Sequence, residues 1–233
     1  MDLNDTQHTQ SYSDLAANYD SIRFQGKNGE FLYKIDQDIV RTLYCKTGAQ
    51  RSLDIPVGTG RVLKYLADCT IVGVDYTPEM LKIAASVADP NRHSLMLGDA
   101  ANLPFADCEF DCLISLRFFH LFHPSIRPIF VREFMRVVRP GGYLIVSFTN
   151  GWYGGGIGWI KRLIGQRTMY FEYPLEVRRL FKSCQIVKRV GNYLPLQHSL
   201  SNIPGLNSLL REGTKIFPLN LLCGERYYLL RKM

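Results

Sequence analysis

Three aspartates, Asp54, Asp75 and Asp99, each close an apolar run of strand-forming residues, and their type and spacing suggest chemistry. In an open α/β sheet, ligands gather outside the carboxyl ends of the strands. Three carboxylates on one such rim suit a cationic, polyhydroxylated ligand and would repel a polyphosphate. Asp54 leads into Ile55-Pro56-Val57-Gly58-Thr59-Gly60-Arg61. The two glycines of that turn let the backbone bend sharply and approach a ligand without interference from a Cβ. A helix beginning at Gly60-Arg61 would also point unpaired N–H groups into the same crevice. Asp75 can accept paired hydrogen bonds from ribose hydroxyls, as the acid after the second strand does in dinucleotide folds. The dinucleotide fingerprint itself fails, because its third glycine would fall at Leu63. Taken singly, each aspartate also reads as a helix N-cap, and the glycine turn as an ordinary strand-to-helix connection.

The elements that must carry these residues alternate along the chain. A short helix is expected near Tyr12 to Asp20, a loop at Gly26 to Gly29, and a helix from Glu30 to Tyr44 with Phe31, Ile35, Ile39, Val40 and Leu43 at helical spacing. Strands follow at Ser52–Ile55, Thr70–Asp75, Ser94–Asp99, Phe110–Ser115 and Tyr143–Phe148. Between them lie helices at Arg61–Ala67, at Thr77 through Ala88 with Thr77 as N-cap and Pro78 at the first position, and at Ser125–Val138. Ile129, Phe130, Phe134, Val137 and Val138 are the expected inward positions of the last of these, and Arg139-Pro140-Gly141-Gly142 is its stop. A helix around Pro174–Phe181 and strands at Cys184–Arg189 and Glu225–Arg231 complete the pattern. Alternation of this kind gives an α/β fold with a parallel sheet covered on both faces. The glycine- and aromatic-rich residues 151–169 and the irregular Asn192–Cys223 read as an insertion or lid on a single domain.

Composition sets the outer limits. A chain of 233 residues can bury a full core, and no run approaches the roughly 18 apolar residues that cross a bilayer. The acidic, polar start Met1-Asp2-Leu3-Asn4-Asp5 is not that of a secretory signal. Six scattered cysteines, with Cys108 and Cys112 lacking a second pair, read as reduced buried thiols in a cytoplasmic protein and not as a zinc site, and no metal is expected. The net charge of +7 admits nucleic acid, an anionic substrate or an acidic membrane. The basic residues are spread over helix faces and form no dense arm, so no nucleic acid partner is expected.

With these motifs assembled, the chain resembles the class I S-adenosylmethionine-dependent methyltransferases, and within them the type 11 group that includes ubiquinone and menaquinone biosynthesis enzymes. The resemblance rests on Leu53-Asp54-Ile55-Pro56-Val57-Gly58-Thr59-Gly60, Val72-Gly73-Val74-Asp75, Gly98-Asp99-Ala100, Leu103-Pro104-Phe105 and Arg139-Pro140-Gly141-Gly142, and spans about Tyr12 to Phe148. It implies a Rossmann-like seven-stranded sheet with helices on both faces, its last strand antiparallel and inserted between the fifth and sixth. Residues 1–45 would form a helical cover, 46–150 the cofactor-binding core, 151–223 a substrate lid with the sixth strand, and 224–233 the final strand. The implied cofactor is S-adenosyl-L-methionine, with S-adenosyl-L-homocysteine as product. Asp54, Gly58 and Gly60 would surround its methionine part, Asp75 would hold the ribose, Tyr76 and Met80 would flank the adenine, Asp99 and Ala100 would meet the adenine edge, and Leu116 would meet the methionyl region. Tyr12, Tyr19 and Arg23 would cover it. The family usually has glycine where this chain has Pro56, which implies a stiffer loop against the cofactor.

Methyl transfer from a sulfonium is an in-line displacement that needs alignment and exclusion of water, with a base where the acceptor is a hydroxyl or an ammonium. The segment Leu116-Arg117-Phe118-Phe119-His120-Leu121-Phe122-His123 falls where the methyl would react. His120 is the first candidate base and His123 the second, each equally readable as a packed or helix-capping histidine. Arg117 either binds an anionic substrate group or pairs with a rim acid. Trp152, Tyr153 and Tyr170 offer flat surfaces to an aromatic or lipid-like small molecule. Residues 151–167 suit either a peripheral membrane contact or a lid packed on the core. A protein or nucleic-acid methyltransferase, a non-catalytic cofactor-binding protein, and monomer or homodimer all stay open.

Overall fold

The computed structural model describes residues 26–150, 174–192 and 223–233. These residues form one seven-stranded sheet with helices against it. In chain order they are α1 (Gly26–Tyr44), β1 (Ser52–Asp54), α2 (Arg61–Tyr65), β2 (Ile71–Asp75), α3 (Pro78–Ala85), β3 (His93–Leu97), β4 (Phe110–Ser115), α4 (Arg127–Val137), β5 (Val138–Thr149), α5 (Pro174–Leu180), β6 (Cys184–Gly191) and β7 (Glu225–Lys232). The strand order is β3-β2-β1-β4-β5-β7-β6. β1 to β5 pair in parallel, and β7 runs antiparallel between β5 and β6. The expected insertion of the last strand is therefore what the chain does. The rest of the expected cover and lid, Tyr12, Tyr19, Arg23, Trp152, Tyr153 and Tyr170 included, lies outside the described residues.

Strand side chains alternate between two cores, as a pleated sheet buried on both faces requires. Leu53, Val72, Val74, Leu113, Leu144, Val146, Tyr228 and Leu230 enter one core with Phe130, Phe134 and Val137 of α4 and Val177 of α5. Ile71, Ile114, Ile145, Tyr227 and Leu229 enter the other with Ile35, Ile39, Val40 and Leu43 of α1 and Val62, Leu63 and Tyr65 of α2. The first core is rich in phenylalanine. Phe119 stacks on Phe148 with ring centroids 4.9 Å apart, and Phe118 meets Phe130 edge-on at 4.9 Å.

Several local expectations are corrected. Gly26–Gly29 is the first turn of α1 and not a loop; the amphipathic run that follows extends backward through residues that favour helix weakly on their own. Thr77 stands at the N-cap of α3, but its side chain makes no capping bond. Its backbone N–H is instead taken by Asp75 Oδ1 at 2.9 Å. Ile129 is exposed, at 40%, on the outer side of α4. Arg139–Gly142 belongs to β5, where a register shift opposite Phe110–Cys112 absorbs the extra residues. All six cysteines are free thiols, but only Cys112 and Cys223 are buried, and Cys45 and Cys108 are exposed. Among the described residues no helix is long and apolar enough to cross a membrane.

Candidate active site at the carboxyl rim

Asp54 ends β1 between the paired strands β2 and β4, so its side chain emerges at the centre of the carboxyl rim. It is 1% exposed, and neither carboxylate oxygen has a hydrogen-bond partner among the described residues. Burial holds its pKa well above the usual carboxylate range; Arg61 opposes that rise and Asp75 adds to it. The following turn passes through Ile55–Pro56, a cis peptide, and reaches Gly58 and Gly60 at φ of +52° and +79°. At Gly60 the glycine is required twice over. Its φ is left-handed, and a Cβ would lie 2.6 Å from Val87 Cγ2 and 3.2 Å from Ala84 Cα. At Gly58 nothing among the described residues lies within 4 Å of the position a Cβ would take.

Asp75 ends β2 and ties the rim together. Its Oδ2 accepts from Gly58 N at 2.8 Å, and its Oδ1 from Thr77 N. Burial raises its pKa against the lowering effect of those two N–H groups. Asp99 stands two residues beyond the end of β3, so it is a turn residue and not the strand end that was expected; its Oδ1 accepts from Ala101 N at 2.8 Å. Met80 and Ala100 are buried, Pro56 and Leu116 are half-buried, and Tyr76 is 58% exposed. The glycine turn, Asp54 and Asp75 are thus brought together by bonds and register, and Asp99 stands beyond β3, the edge strand next to β2.

The two histidines separate. His120 is buried on a one-turn 3-10 helix, Phe119–Leu121, that follows β4. His123 is exposed, and its Nδ1 lies 2.7 Å from Ser125 Oγ and accepts from Ser125 N at 3.3 Å, a local turn ahead of α4. Arg117 is not paired with Asp54, Asp75 or Asp99. Its Nη2 donates to Asp36 of α1 and its Nε donates to Glu225 of β7 at 2.9 Å. Ser147 Oγ accepts from Arg117 N at 2.8 Å and donates to Glu225 Oε1 at 2.6 Å, and Tyr227 Oη donates to Asp36 Oδ1 at 2.7 Å. This buried network was not foreseen. Its signal was a carboxylate, Asp36, lying on the buried stripe of an amphipathic helix with Val40 and Leu43 at i+4 and i+7.

The methyltransferase domain family of the type 11 group matches residues 53–146, from the strand of Asp54 to the middle of β5. These residues are a class I S-adenosylmethionine-dependent methyltransferase domain. The probable tRNA methyltransferase 9B of Bos taurus is 37% identical over 94 residues, 40% of this chain and 20% of that protein. The ubiquinone/menaquinone biosynthesis C-methyltransferase UbiE of Dinoroseobacter shibae is 32% identical over 143 residues, 58% of this chain and 56% of that protein. The chain thus spans between a fifth and about half of the length of these curated relatives. Magnesium protoporphyrin IX methyltransferase from Synechocystis, solved with bound S-adenosylhomocysteine, has the same fold with a TM-score of 0.70 over 99% of this chain and 100% of that one, at 13% identity. The methyltransferase domain is therefore set on the Rossmann-like sheet that its motifs implied, and the rim just described is the rim of that domain.

Proposed function

We propose that the protein transfers a methyl group from S-adenosyl-L-methionine to an oxygen, nitrogen or carbon atom of a small, aromatic or lipid-like molecule. The observation that carries this reading is Asp54. A sealed carboxylate with both oxygens unpartnered among the described residues is costly unless a cation meets it, and Gly58, with no described atom against its Cβ position, lies in the turn beside it. Those residues fit a cofactor whose methionine part carries an ammonium. Asp54, Gly58, Gly60 and Leu116 would hold that part, Asp75 the ribose, and Tyr76, Met80, Asp99 and Ala100 the adenine, with Pro56 shaping the turn between them.

When bound, the cofactor supplies an electrophilic methyl group. The chain's own share is to align the acceptor, keep water out and receive a proton where the acceptor must lose one. His120, buried directly after β4, is the residue proposed for that proton, with His123 second. The solvent-facing ring of His123 is already engaged by Ser125. Trp152, Tyr153 and Tyr170 are proposed to receive the acceptor. A nucleic-acid acceptor is the second reading, favoured by the net charge of +7 and by the match to the probable tRNA methyltransferase 9B.

Thermal shift with S-adenosylhomocysteine against NAD tests the cofactor, and incorporation of labelled methyl into demethylquinols, phenols and bulk tRNA tests the acceptor. A melting temperature raised by S-adenosylhomocysteine alone, with label in the small molecules, supports the first reading. No shift with S-adenosylhomocysteine overturns both readings, and label confined to tRNA overturns the first in favour of the second.

A further inference from the structure

Arg117 has φ of +55°, in the left-handed region that a side chain with a Cβ rarely adopts. It stands two residues past the end of β4, between Leu116 and the aromatic pair Phe118 and Phe119. Phe118 and Phe119 are packed into the phenylalanine-rich core on one face of the sheet. The left-handed turn sends the Arg117 side chain to the α1 and β7 carboxylates instead, so the short segment after β4 is fastened in two directions at once. The fastening draws on three distant pieces of chain: Asp36 is 81 residues away, Ser147 30 and Glu225 108. Glu225 reaches the rim because β7 is antiparallel, so its first residue lies at the end where the parallel strands finish.

A buried guanidinium between two carboxylates is a poor way to gain stability, since apolar side chains of the same volume commonly serve as well or better. It is a good way to fix geometry, because a planar fork of N–H donors holds one orientation. Coulombic attraction from Asp36 and Glu225 keeps Arg117 protonated against the opposing effect of burial. Two further buried oxygens near this segment have no hydrogen-bond partner among the described residues: Ser115 Oγ at the end of β4, and Tyr65 Oη at the end of α2, where Asp36 and Arg117 both act on the phenol's charge.

We propose that Arg117 is a positioning residue for the cofactor: clamped by Asp36 and Glu225, it holds the Leu116–Arg117 turn in the one conformation that completes the methionyl side of the site. The role rests on the reading of this rim as an S-adenosylmethionine site. It gives Arg117 no contact with the ligand and no anionic substrate to bind.

The test is calorimetric binding of S-adenosylhomocysteine and of S-adenosylmethionine to the full chain and its variants. Arg117→Lys keeps the charge and loses the fork, and is expected to weaken both ligands equally, by about tenfold or more, while circular dichroism remains that of the parent. Asp36→Asn is expected to act in the same direction, and Arg51→Ala, at the exposed pair with Glu109, to leave binding unchanged. A loss confined to the sulfonium ligand would mean that only charge is sensed and would overturn positioning. So would a folded Arg117→Lys that binds both ligands within twofold of the parent. Should Arg117→Lys fail to fold, the double variant Asp36→Asn with Glu225→Gln decides the question by the same criterion. A parent chain that binds neither ligand overturns the cofactor reading and the positioning role together, whereas a parent that binds with variants that bind equally overturns the positioning role alone.

Discussion

Asp54 is the residue at which stability and the proposed cofactor binding pull in opposite directions. Its pKa is raised in the folded chain, so the folded state holds that proton more tightly than the unfolded one. The stability it contributes is complete below the unfolded value of about 3.9 and is lost as pH climbs through the folded value. Asp54→Asn removes that loss, because an amide needs no counter-charge. In the ligand-free chain at neutral pH the variant is expected to gain about 1 to 2 kcal/mol, read as a higher urea midpoint. The same substitution takes away the negative charge proposed to meet a cofactor ammonium at the end of β1, and S-adenosylhomocysteine should bind about tenfold or more weakly. A variant that is both less stable and equally competent to bind would mean that Asp54 is a structural acid and nothing more. The pH series separates the two further: the gain from Asp54→Asn should shrink toward low pH, where the wild-type carboxyl is protonated in both states.

At the level of elements, the turn from β1 to α2 is set by space. Gly60→Ala places a Cβ against Val87 and the backbone of Ala84 at a left-handed φ. It is expected to cost about 2 kcal/mol or more, from the left-handed penalty together with the shift forced on α3, and chemical denaturation measures it. The loop after β3 is pinned differently. Arg136 of α4 donates to Glu133, to Asp107 and to the carbonyls of Leu103 and Phe105, while Leu103 N donates to Glu133. Arg136→Ala releases that loop and should cost about 2 kcal/mol by the same measurement.

These elements were legible in the sequence to different degrees, and the differences have physical causes. β2 and β4 were read almost to the residue because β-branched and apolar runs bounded by acid or turn signals leave no competing period. β3 was begun one residue late and carried two residues too far, through Gly98 and Asp99, since a sequence pattern does not mark where pairing with β2 stops. The glycine turn and its acids could be seen because neighbours in the chain form them. The Arg117 clamp could not, because its members come from α1, the segment after β4, β5 and β7, and nothing local announces which charges will meet. Only Asp36, a carboxylate on an apolar stripe, carried a trace of it.

Over the whole molecule, β7 is the strand that joins the core to the rim. It pairs through seven register positions with β5 and seven with β6, and Tyr227, Tyr228, Leu229 and Leu230 are each fully buried, alternating between the two cores. Burying four such side chains contributes about 6 to 12 kcal/mol, which is comparable to the entire stability of about 5 to 15 kcal/mol expected of a folded protein. A chain ended after Gly224 should therefore not fold, and should show no cooperative transition by circular dichroism. Because the antiparallel direction also delivers Glu225 to the carboxyl rim, the two contributions of β7 can be divided by point variants. Leu229→Ala removes core and leaves the clamp: it should cost about 2 to 5 kcal/mol and leave S-adenosylhomocysteine affinity, per folded molecule, unchanged. Glu225→Gln keeps the core and removes one carboxylate from Arg117, so its larger effect should be on affinity. If the two variants instead lost stability and affinity in fixed proportion, β7 would act only as core, and the sheet's last strand would have no separate part in shaping the site.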